Sequence, residues 1–375
     1  MKKQKRIIVA MSGGVDSSVA ALILKNQDYE VIGVTMRLWS LDRDNVPKSN
    51  KRCCSVEDTD DAKSVCQILG IKHYVMNFEE PFQEHVVNYF VKEYESGRTP
   101  HPCLACNDKI KFDFLLRKAL FLEADYIATG HYAKIKSNNG IYELHRGKDN
   151  NKDQSYVLFN LSQKELSKLL LPVGEYTKNE IRDLALEYKL PVANKPDSQD
   201  ICFIPNGNYR EFVENRIKKN PGKTINTAGE NIGEHPGVHF FTIGQRRKLG
   251  LKDNFNEALY VTKIDADKNE ITLGSESELY KTRLYASKIN FISGIIPDNS
   301  IKVNVKIRYK SQMSPATLSA NLNNAIIDFD EPQRAITPGQ PAVFYQNDKV
   351  VGGGIIETVP ENLELKNENI LVHKS

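Results

Sequence analysis

The stretch Ile7-Ile8-Val9-Ala10-Met11-Ser12-Gly13-Gly14-Val15-Asp16-Ser17-Ser18 decides the fold. Ile7 to Val9 is a β-branched apolar run and reads as a strand. The run that follows, Val19-Ala20-Ala21-Leu22-Ile23-Leu24, has the apolar spacing of a helix. Paired glycines stand between them, where the backbone can approach a ligand closely and take up positive φ without steric cost. The first N–H groups of a helix have no partner within it and lie at the positive end of its dipole. Strand, glycine turn and helix start together make an anion cradle suited to a phosphate. Ser12, Ser17 and Ser18 add hydroxyl donors.

No lysine follows these glycines, so this is not the Walker loop, which needs Gly-Lys-Ser/Thr after four spacer residues. A role that releases pyrophosphate fits better than γ-phosphoryl transfer. An ordinary Gly-Gly turn with an Asp N-cap would explain the glycines but not the strand and helix that flank them. The SGGxDS pattern resembles the PP-loop of the ATP pyrophosphatase superfamily, whose members split ATP into AMP and pyrophosphate while adenylating a carbonyl oxygen. A second strand candidate, Val31 to Met36, follows the first helix. That order is a βαβ unit, hence a parallel sheet that binds ligands beyond the carboxyl ends of its strands. Met36 falls at such an end, where it either lies against a nucleobase or packs in the core.

The 375 residues suit two or three domains, and 40% hydrophobic with 26% charged residues is ordinary for a globular protein. No stretch reaches the ~18 apolar residues of a membrane span. The basic start, Met1 to Arg6, precedes too short an apolar run for a signal peptide, so a cytoplasmic protein with no membrane contact is expected. A net charge of +3 is too small to argue for nucleic acid by itself, and Arg246-Arg247-Lys248 reads as a solvated face. Six cysteines point to chemistry or metal rather than a disulfide scaffold.

Further along, Ser55-Val56-Glu57-Asp58 is a capping box opening a helix to Leu69, and Gly70 ends it. Strand candidates follow at His73–Met76 and Tyr126–Thr129, and between them stand a helix starting at Pro81 and an amphipathic helix ending near Phe121-Leu122. Arg98 to Asn107, with two prolines, reads as a rigid exposed loop. Gly130-His131-Tyr132 stands at a strand's carboxyl end, on the ligand side of the sheet. Lys152-Asp153-Gln154-Ser155 reads as a polar loop, between helix-rich segments that include starts at Gln163 and Thr177. Around Asn220 the character changes to short β-rich runs, among them Val238–Thr242 and Leu259–Thr262. From about Thr282 the period-two alternation of Val303 to Tyr309, with Ala342–Tyr345 and Gly354–Ile356, suggests a small antiparallel barrel.

Cys103-x-x-Cys106 leaves three readings open. Structural zinc needs a second pair of similar spacing, which is missing. An iron–sulfur site needs three or four cysteines, and the adjacent Cys53 and Cys54 are poorly placed to supply them. The third reading is a thiol that reacts with Cys202. An adenylating loop beside two thiols makes chemical sense, because adenylation turns a pyrimidine carbonyl oxygen into AMP, a good leaving group. A persulfide then supplies sulfur, and a second thiolate attacking its inner sulfur releases sulfide and leaves a disulfide.

The whole chain resembles the bacterial tRNA-uridine 2-sulfurtransferases (tRNA-specific 2-thiouridylases), which thiolate the wobble uridine. The resemblance rests on Met11 to Ser18, Cys53-Cys54-Ser55, Gly97-Arg98-Thr99-Pro100 leading to Cys106-Asn107, and Ala128 to Ala133. It extends over Lys152 to Tyr156, Asp200 to Ile204, His239 to Arg247 and Thr337 to Tyr345. It implies an α/β fold: a PP-loop (adenine nucleotide alpha-hydrolase-like) parallel-sheet domain at 1–205, a small central β-rich domain at 206–281 and a C-terminal antiparallel β-barrel at 282–375. It implies that Ala10, Met11, Ser12, Gly13, Gly14, Val15, Asp16 and Ser17, with Met36 and Gly130, hold ATP. Cys106 is the implied nucleophile and Cys202 the persulfide carrier, joined by a transient disulfide. His101, Pro102 and Cys103 would meet the target base, and His131, Lys152, Asp153, Gln154, Arg308, Tyr309 and Gln340 would contact tRNA. The implied partners are tRNAs with lysine, glutamate and glutamine acceptors and a persulfide sulfur-donor protein, with Mg²⁺ accompanying ATP and no dedicated metal site.

One departure stands out. His101-Pro102 occupies a place where the family often has Asn-Pro, and the next position is Asp in some members and Cys in others. Here it is Cys103, and a thiol is a different acid–base group from a carboxylate, so no base role is assigned to it. Two other function classes stay in view: a PP-loop synthetase acting on a small molecule, which needs no cysteine pair, and a non-catalytic RNA-binding protein.

Overall fold

The structure, a computed structural model, describes residues 4–39, 56–197, 201–204, 208–251 and 257–358. Cys53, Cys54 and the capping Ser55 lie outside the described residues. Strand β1 (Arg6–Ala10) runs into helix α1 (Val15–Asn26), which returns the chain to β2 (Glu30–Arg37). Ile7, Ile8 and Val9 are fully buried, as a central parallel strand covered on both faces requires. Helix α2 (Val56–Leu69) and strand β3 (Lys72–Asn77) extend the sheet outward. Helix α3 (Glu79–Phe82) begins two residues before Pro81 and passes through a wider turn, Gln83–Val87, into α4 (Asn88–Glu95).

Arg98 to Asn107 is not an exposed loop throughout. Helix α5 (Pro102–Ala105) starts inside it, widens to a π-helical stretch over Cys106–Leu115 and ends as α6 (Leu116–Phe121). Pro102 sits at the first helical position, where its missing N–H costs nothing and its fixed φ favours the start. The prolines therefore mark a helix entry, not its exclusion. Strand β4 (Tyr126–Ala128) follows, then a hairpin of β5 (Ala133–Asn138) and β6 (Ile141–Arg146). That hairpin turns at Asn139-Gly140, both at positive φ (49° and 80°), as a two-residue hairpin turn demands. Helix α7 (Gln163–Leu166), the short strand β7 (Leu169–Leu170) and α8 (Lys178–Glu187) close this part of the chain.

The first sheet has the order β3-β2-β1-β4-β7, and every neighbouring pair is parallel. The order reverses between β1 and β4. A crevice beyond the carboxyl ends of those two strands is where an open α/β sheet binds its ligand. The glycine turn after β1 and Gly130-His131 after β4 both face that crevice.

Helix α9 (Tyr209–Glu214) leads to β8 (Gly222–Asn226), β9 (Asn231–His235), β10 (Tyr260–Asp265) and β11 (Glu270–Gly274), a four-stranded sheet of order β10-β11-β8-β9. Val238–Phe240 is a 3₁₀ turn, not the strand its apolar run suggested. Val238, Phe240 and Phe241 are all buried in the core of this sheet, and a short continuous apolar run cannot by itself separate strand from turn or helix.

The last part contains β12 (Tyr280–Phe291), β13 (Ile301–Lys306), β14 (Ser314–Ala320), β15 (Asn324–Arg334), β16 (Pro341–Gln346) and β17 (Lys349–Glu357). They run β12-β15-β14-β13-β16-β17, and β12 pairs back onto β17 to close an antiparallel barrel. Val303, Val305, Ala316, Leu318, Ile327 and Phe344 fill its interior at alternate positions. The β5–β6 hairpin adds to the outside of this barrel through β6–β17, with Val350 opposite Leu144. One core cluster therefore runs from Ile8 of the first sheet to Val343 and Ile355 of the barrel. Among the described residues no helix is long and apolar enough to cross a membrane.

Candidate active site

Helix α1 begins with Gly14 as its N-cap, and no side chain caps it, which leaves first-turn N–H groups for a ligand. The serine hydroxyls are largely turned inward. Ser17 Oγ donates to the Gly14 carbonyl at 3.1 Å and accepts from the Ser12 N–H at 3.1 Å; Ser18 Oγ donates to the same carbonyl at 2.9 Å. These bonds shape the turn, so the backbone supplies the donors that the hydroxyls were expected to add. Gly13 holds φ +71°, and a Cβ there would lie 2.2 Å from the Asp58 carbonyl oxygen. Gly130 lies against the turn from β4: a Cβ would come within 2.7 Å of the Ser17 nitrogen. Both positions admit only glycine.

A cavity of about 420 Å³ opens over this turn. Its wall includes Ala10, Met11, Ser12, Gly14, Val15, Asp16 and Ser17 from the turn, with Met36 and Gly130 from the neighbouring strand ends. Met36 is also 7% exposed within the main core, so it packs and lines the cavity at once. Pro102 and Cys103 reach the same cavity from α5, Cys106 from the start of the π-helical stretch, and Cys202 from the segment after α8. His131, Lys152, Gln154 and Tyr309 complete the set of expected residues that meet there. Gly13, His101, Asp153, Arg308 and Gln340 do not line it.

Each sulfur is held by the elements around it. Cys106 begins the π-helical stretch and is 9% exposed, and its neighbour Asn107 anchors the turn by donating from Nδ2 to the Val157 carbonyl at 3.0 Å. Cys103, three residues earlier, is exposed. Cys202 is half-buried, and the next residue, Phe203, fixes it in an aromatic cluster with Phe82, Phe90 and Phe212 at centroid distances of 5.7, 5.3 and 5.2 Å.

The cations come from far along the chain. Lys178 Nζ sits 2.7 and 2.8 Å from the Asp16 carboxylate and 2.9 Å from Asp197. Asp197 also takes Lys152 at 2.7 Å and Arg182 at 3.0 Å. Burial pushes the Asp197 carboxyl up, but hydrogen bonds from Lys152 and Lys178 outweigh it and hold its pKa at about 2. Lys195 donates to the Gly13 carbonyl at 3.0 Å and pairs with Asp58 and Asp61, each at 2.6 Å. Tyr132 donates to Asp16 at 2.6 Å. Tyr132 was expected on this side of the sheet, but Lys178, Lys195 and Asp197 escaped the reading of the sequence, since no spacing ties residues 178 to 197 to a turn at residue 13. Only the T-x-x-E capping box at Thr177, which fixes Lys178 at the start of α8, was visible.

His131 is buried, with Thr129 Oγ1 2.7 Å from Nδ1 and Lys111 Nζ 3.5 Å from Nε2. Burial, with Lys111 adding to it, keeps this imidazole neutral, well below the usual range. Asp153 is buried behind the cavity and accepts from the Gly147 and Ser155 N–H groups at 3.1 and 3.2 Å. Arg308 and Gln340 lie apart, in a groove of about 630 Å³ also lined by Thr99, Arg210, Thr242 and Arg247. Arg247 and Lys248 are exposed, as a solvated face requires, and also edge this groove. The arrangement joins a glycine turn with an uncapped helix start, surrounding lysines and three thiols in one space.

Three family models match in series: a tRNA methyl transferase HUP domain over residues 5–206, a tRNA methyl transferase PRC-barrel domain over 210–275 and an aminomethyltransferase β-barrel domain over 281–356. A tRNA-specific 2-thiouridylase MnmA of Natranaerobius thermophilus is 48% identical over 363 residues, covering 95% of this chain and 98% of the relative. The protein of the same name from Halothermothrix orenii is 47% identical, covering 94% and 99%. Among solved structures, a 4-thiouridine synthetase–RNA complex with bound ATP is 14% identical, with a TM-score of 0.33 over 56% of this chain and 50% of that one. The full-length identity and the serial match of all three domain models make this chain a member of the tRNA-specific 2-thiouridylase family.

Proposed function

We propose that this chain carries out ATP-dependent 2-thiolation of the wobble uridine of tRNA. The observation that carries the reading is the shared cavity, in which the glycine turn, Cys106 and Cys202 line the same space. On this reading residues 1–205, 206–281 and 282–375 act as catalytic, central and barrel domains of a cytoplasmic enzyme. ATP lies against Ala10 to Ser17, Met36 and Gly130, with its phosphates at the start of α1. Lys178 and Lys152 stand where negative charge gathers as pyrophosphate departs. Mg²⁺ enters with the triphosphate; among the described residues no group of three or more His, Cys, Asp or Glu side chains is arranged to hold a metal.

The target base leaves its stack in the anticodon loop, where unstacking costs least, and meets His101, Pro102 and Cys103. His131, Lys152, Gln154 and Tyr309 contact it or its neighbours, Asp153 shapes the turn that carries Lys152, and Arg308 and Gln340 meet tRNA from the barrel side. The uridine O2 attacks the α-phosphorus of ATP, the bond to the β-phosphate oxygen breaks, and pyrophosphate leaves. Cys202 carries a persulfide received from a sulfur-donor protein. The Cys106 thiolate attacks the inner sulfur, the terminal sulfur leaves with the bonding pair, bonds to C2, and AMP departs. The Cys106–Cys202 disulfide that remains holds the two-electron oxidation until an external thiol reduces it. The tRNAs charged with lysine, glutamate and glutamine are the substrates on this reading.

Mass spectrometry of tRNA nucleosides after incubation with ATP, a persulfide donor and purified protein tests this. Wild type forms 2-thiouridine, while Cys106→Ser and Cys202→Ser each form none and keep the wild-type circular dichroism. Thiolation retained in either variant contradicts that cysteine's role.

A further inference from the structure

Gln340 sits on the barrel, yet its hydrogen bonds go to the segment that launches the cysteine helix. Its side-chain amide donates to the Thr99 carbonyl at 2.9 Å and to the Pro100 carbonyl at 3.2 Å. Two other contacts grip the same segment. The Thr99 N–H donates to the Pro338 carbonyl at 2.9 Å, and the Thr99 hydroxyl donates to Thr242 Oγ1, in the central part of the chain, at 3.1 Å. Arg98 joins Glu93 of α4 to Glu357 of β17. Arg308 braces the barrel side by donating to the Ala335 carbonyl and Thr337 Oγ1. All three parts of the molecule thus converge on residues 98–100. The next residue, His101, is the N-cap of α5, and Cys106 lies five positions on. Pro100 and Pro102 stiffen the link, since each fixes its own φ. A displacement of the Thr99 or Pro100 carbonyl is therefore passed to the helix start rather than absorbed before it.

We propose that Gln340 is a positioning residue for Cys106, coupling the barrel to the first turn of the helix that carries the thiol. This rests on the reading above that Cys106 is the reacting sulfur. The chemistry gives the coupling its weight, because a nucleophile displaced by about 1 Å loses on the order of 100-fold in rate. An RNA that engages the barrel groove meets the same side chains that set the helix, so occupancy of the groove and readiness of the thiol are linked through residues 98–100.

The test uses Gln340→Met in the full chain, which keeps the length of the side chain and removes both donors. Three readouts are taken: alkylation of Cys106 by iodoacetamide without RNA, followed by peptide mass spectrometry; single-turnover 2-thiouridine formation at saturating tRNA; and the tRNA Kd. The expected result is severalfold faster Cys106 alkylation in the absence of RNA and single-turnover formation slowed by about tenfold or more even at saturating tRNA, on top of any rise in Kd from the lost tRNA contact. Thr242→Val, which removes the partner of the Thr99 hydroxyl from the opposite side, moves alkylation in the same direction. Wild-type alkylation in Gln340→Met overturns the proposal, whether the Kd rises, as for a residue that only touches RNA, or stays unchanged. If the wild-type protein forms no 2-thiouridine, the functional reading fails instead, and the alkylation readout still decides the positioning role.

Discussion

Lys178 is the residue on which the electrostatics of the glycine turn depend. Its side chain is 10% exposed, and its ammonium bridges Asp16 of the turn to Asp197. Lys178→Met leaves both carboxylates without their shared cation. Because Asp16 and Asp197 keep 31% and 23% of their side-chain exposure, water offsets part of the loss, and the expected destabilisation is about 1–3 kcal/mol rather than that of a fully buried pair. On the proposed reaction, in which Lys178 faces the departing pyrophosphate, pyrophosphate release at saturating ATP falls by about tenfold or more. Urea unfolding and a pyrophosphate assay check the two effects, and unchanged release in a folded variant removes Lys178 from the reaction. At this scale the sequence showed the glycines, the thiols and Gly130, whose chemistry is carried by local pattern. It did not show Lys178, Lys195 or Asp197, because the contact between residues 16 and 178 exists only once α8 packs beside α1.

At the scale of elements, the helix launched by His101 and Pro102 controls how the cysteines are presented. The His101 ring packs against Tyr156, and burial holds its pKa down at about 4 instead of the ordinary 6.5. Between those values the unfolded chain binds the proton and the folded chain does not. The stabilising share is therefore complete above about pH 6.5 and is lost as pH falls toward about 4. Urea midpoints measured across that window are expected to decline in wild type and to decline less in His101→Asn, while equal slopes would mean that His101 does not carry the effect. The first turn of this helix was read as loop because two prolines were weighed as breakers, although Pro102 at the first helical position starts a helix; the amphipathic run beyond Asn107, with Ile110, Phe112, Leu115 and Leu116 on the buried face, was legible. The strands were more legible. Ile7 to Val9 and Val303 to Val305 advertise a two-faced and a one-faced sheet, respectively, by their apolar pattern. Val238 to Phe241 has no such alternation, and there the pattern failed.

For the whole molecule, the parallel sheet, the central sheet and the barrel follow the order in which the composition changes along the chain. What the linear order hid is the return of residues 133–146 to the barrel, where β6 joins β17 and one core cluster reaches from the first sheet to the outside of the barrel. It also hid the meeting of three parts of the chain at residues 98–100, beside the cavity. The glycine turn near residue 13 and the thiols at 106 and 202 line one cavity, and the proposed reaction needs all three together. The most direct measurement loads Cys202 with a persulfide whose terminal sulfur is a heavy isotope, removes the donor, and adds tRNA and ATP for a single turnover. The account predicts heavy-isotope 2-thiouridine, AMP and pyrophosphate in equal amounts, and a Cys106–Cys202 disulfide in the protein. Consumption of ATP with the heavy sulfur still on the protein, or 2-thiouridine without the label, would contradict it.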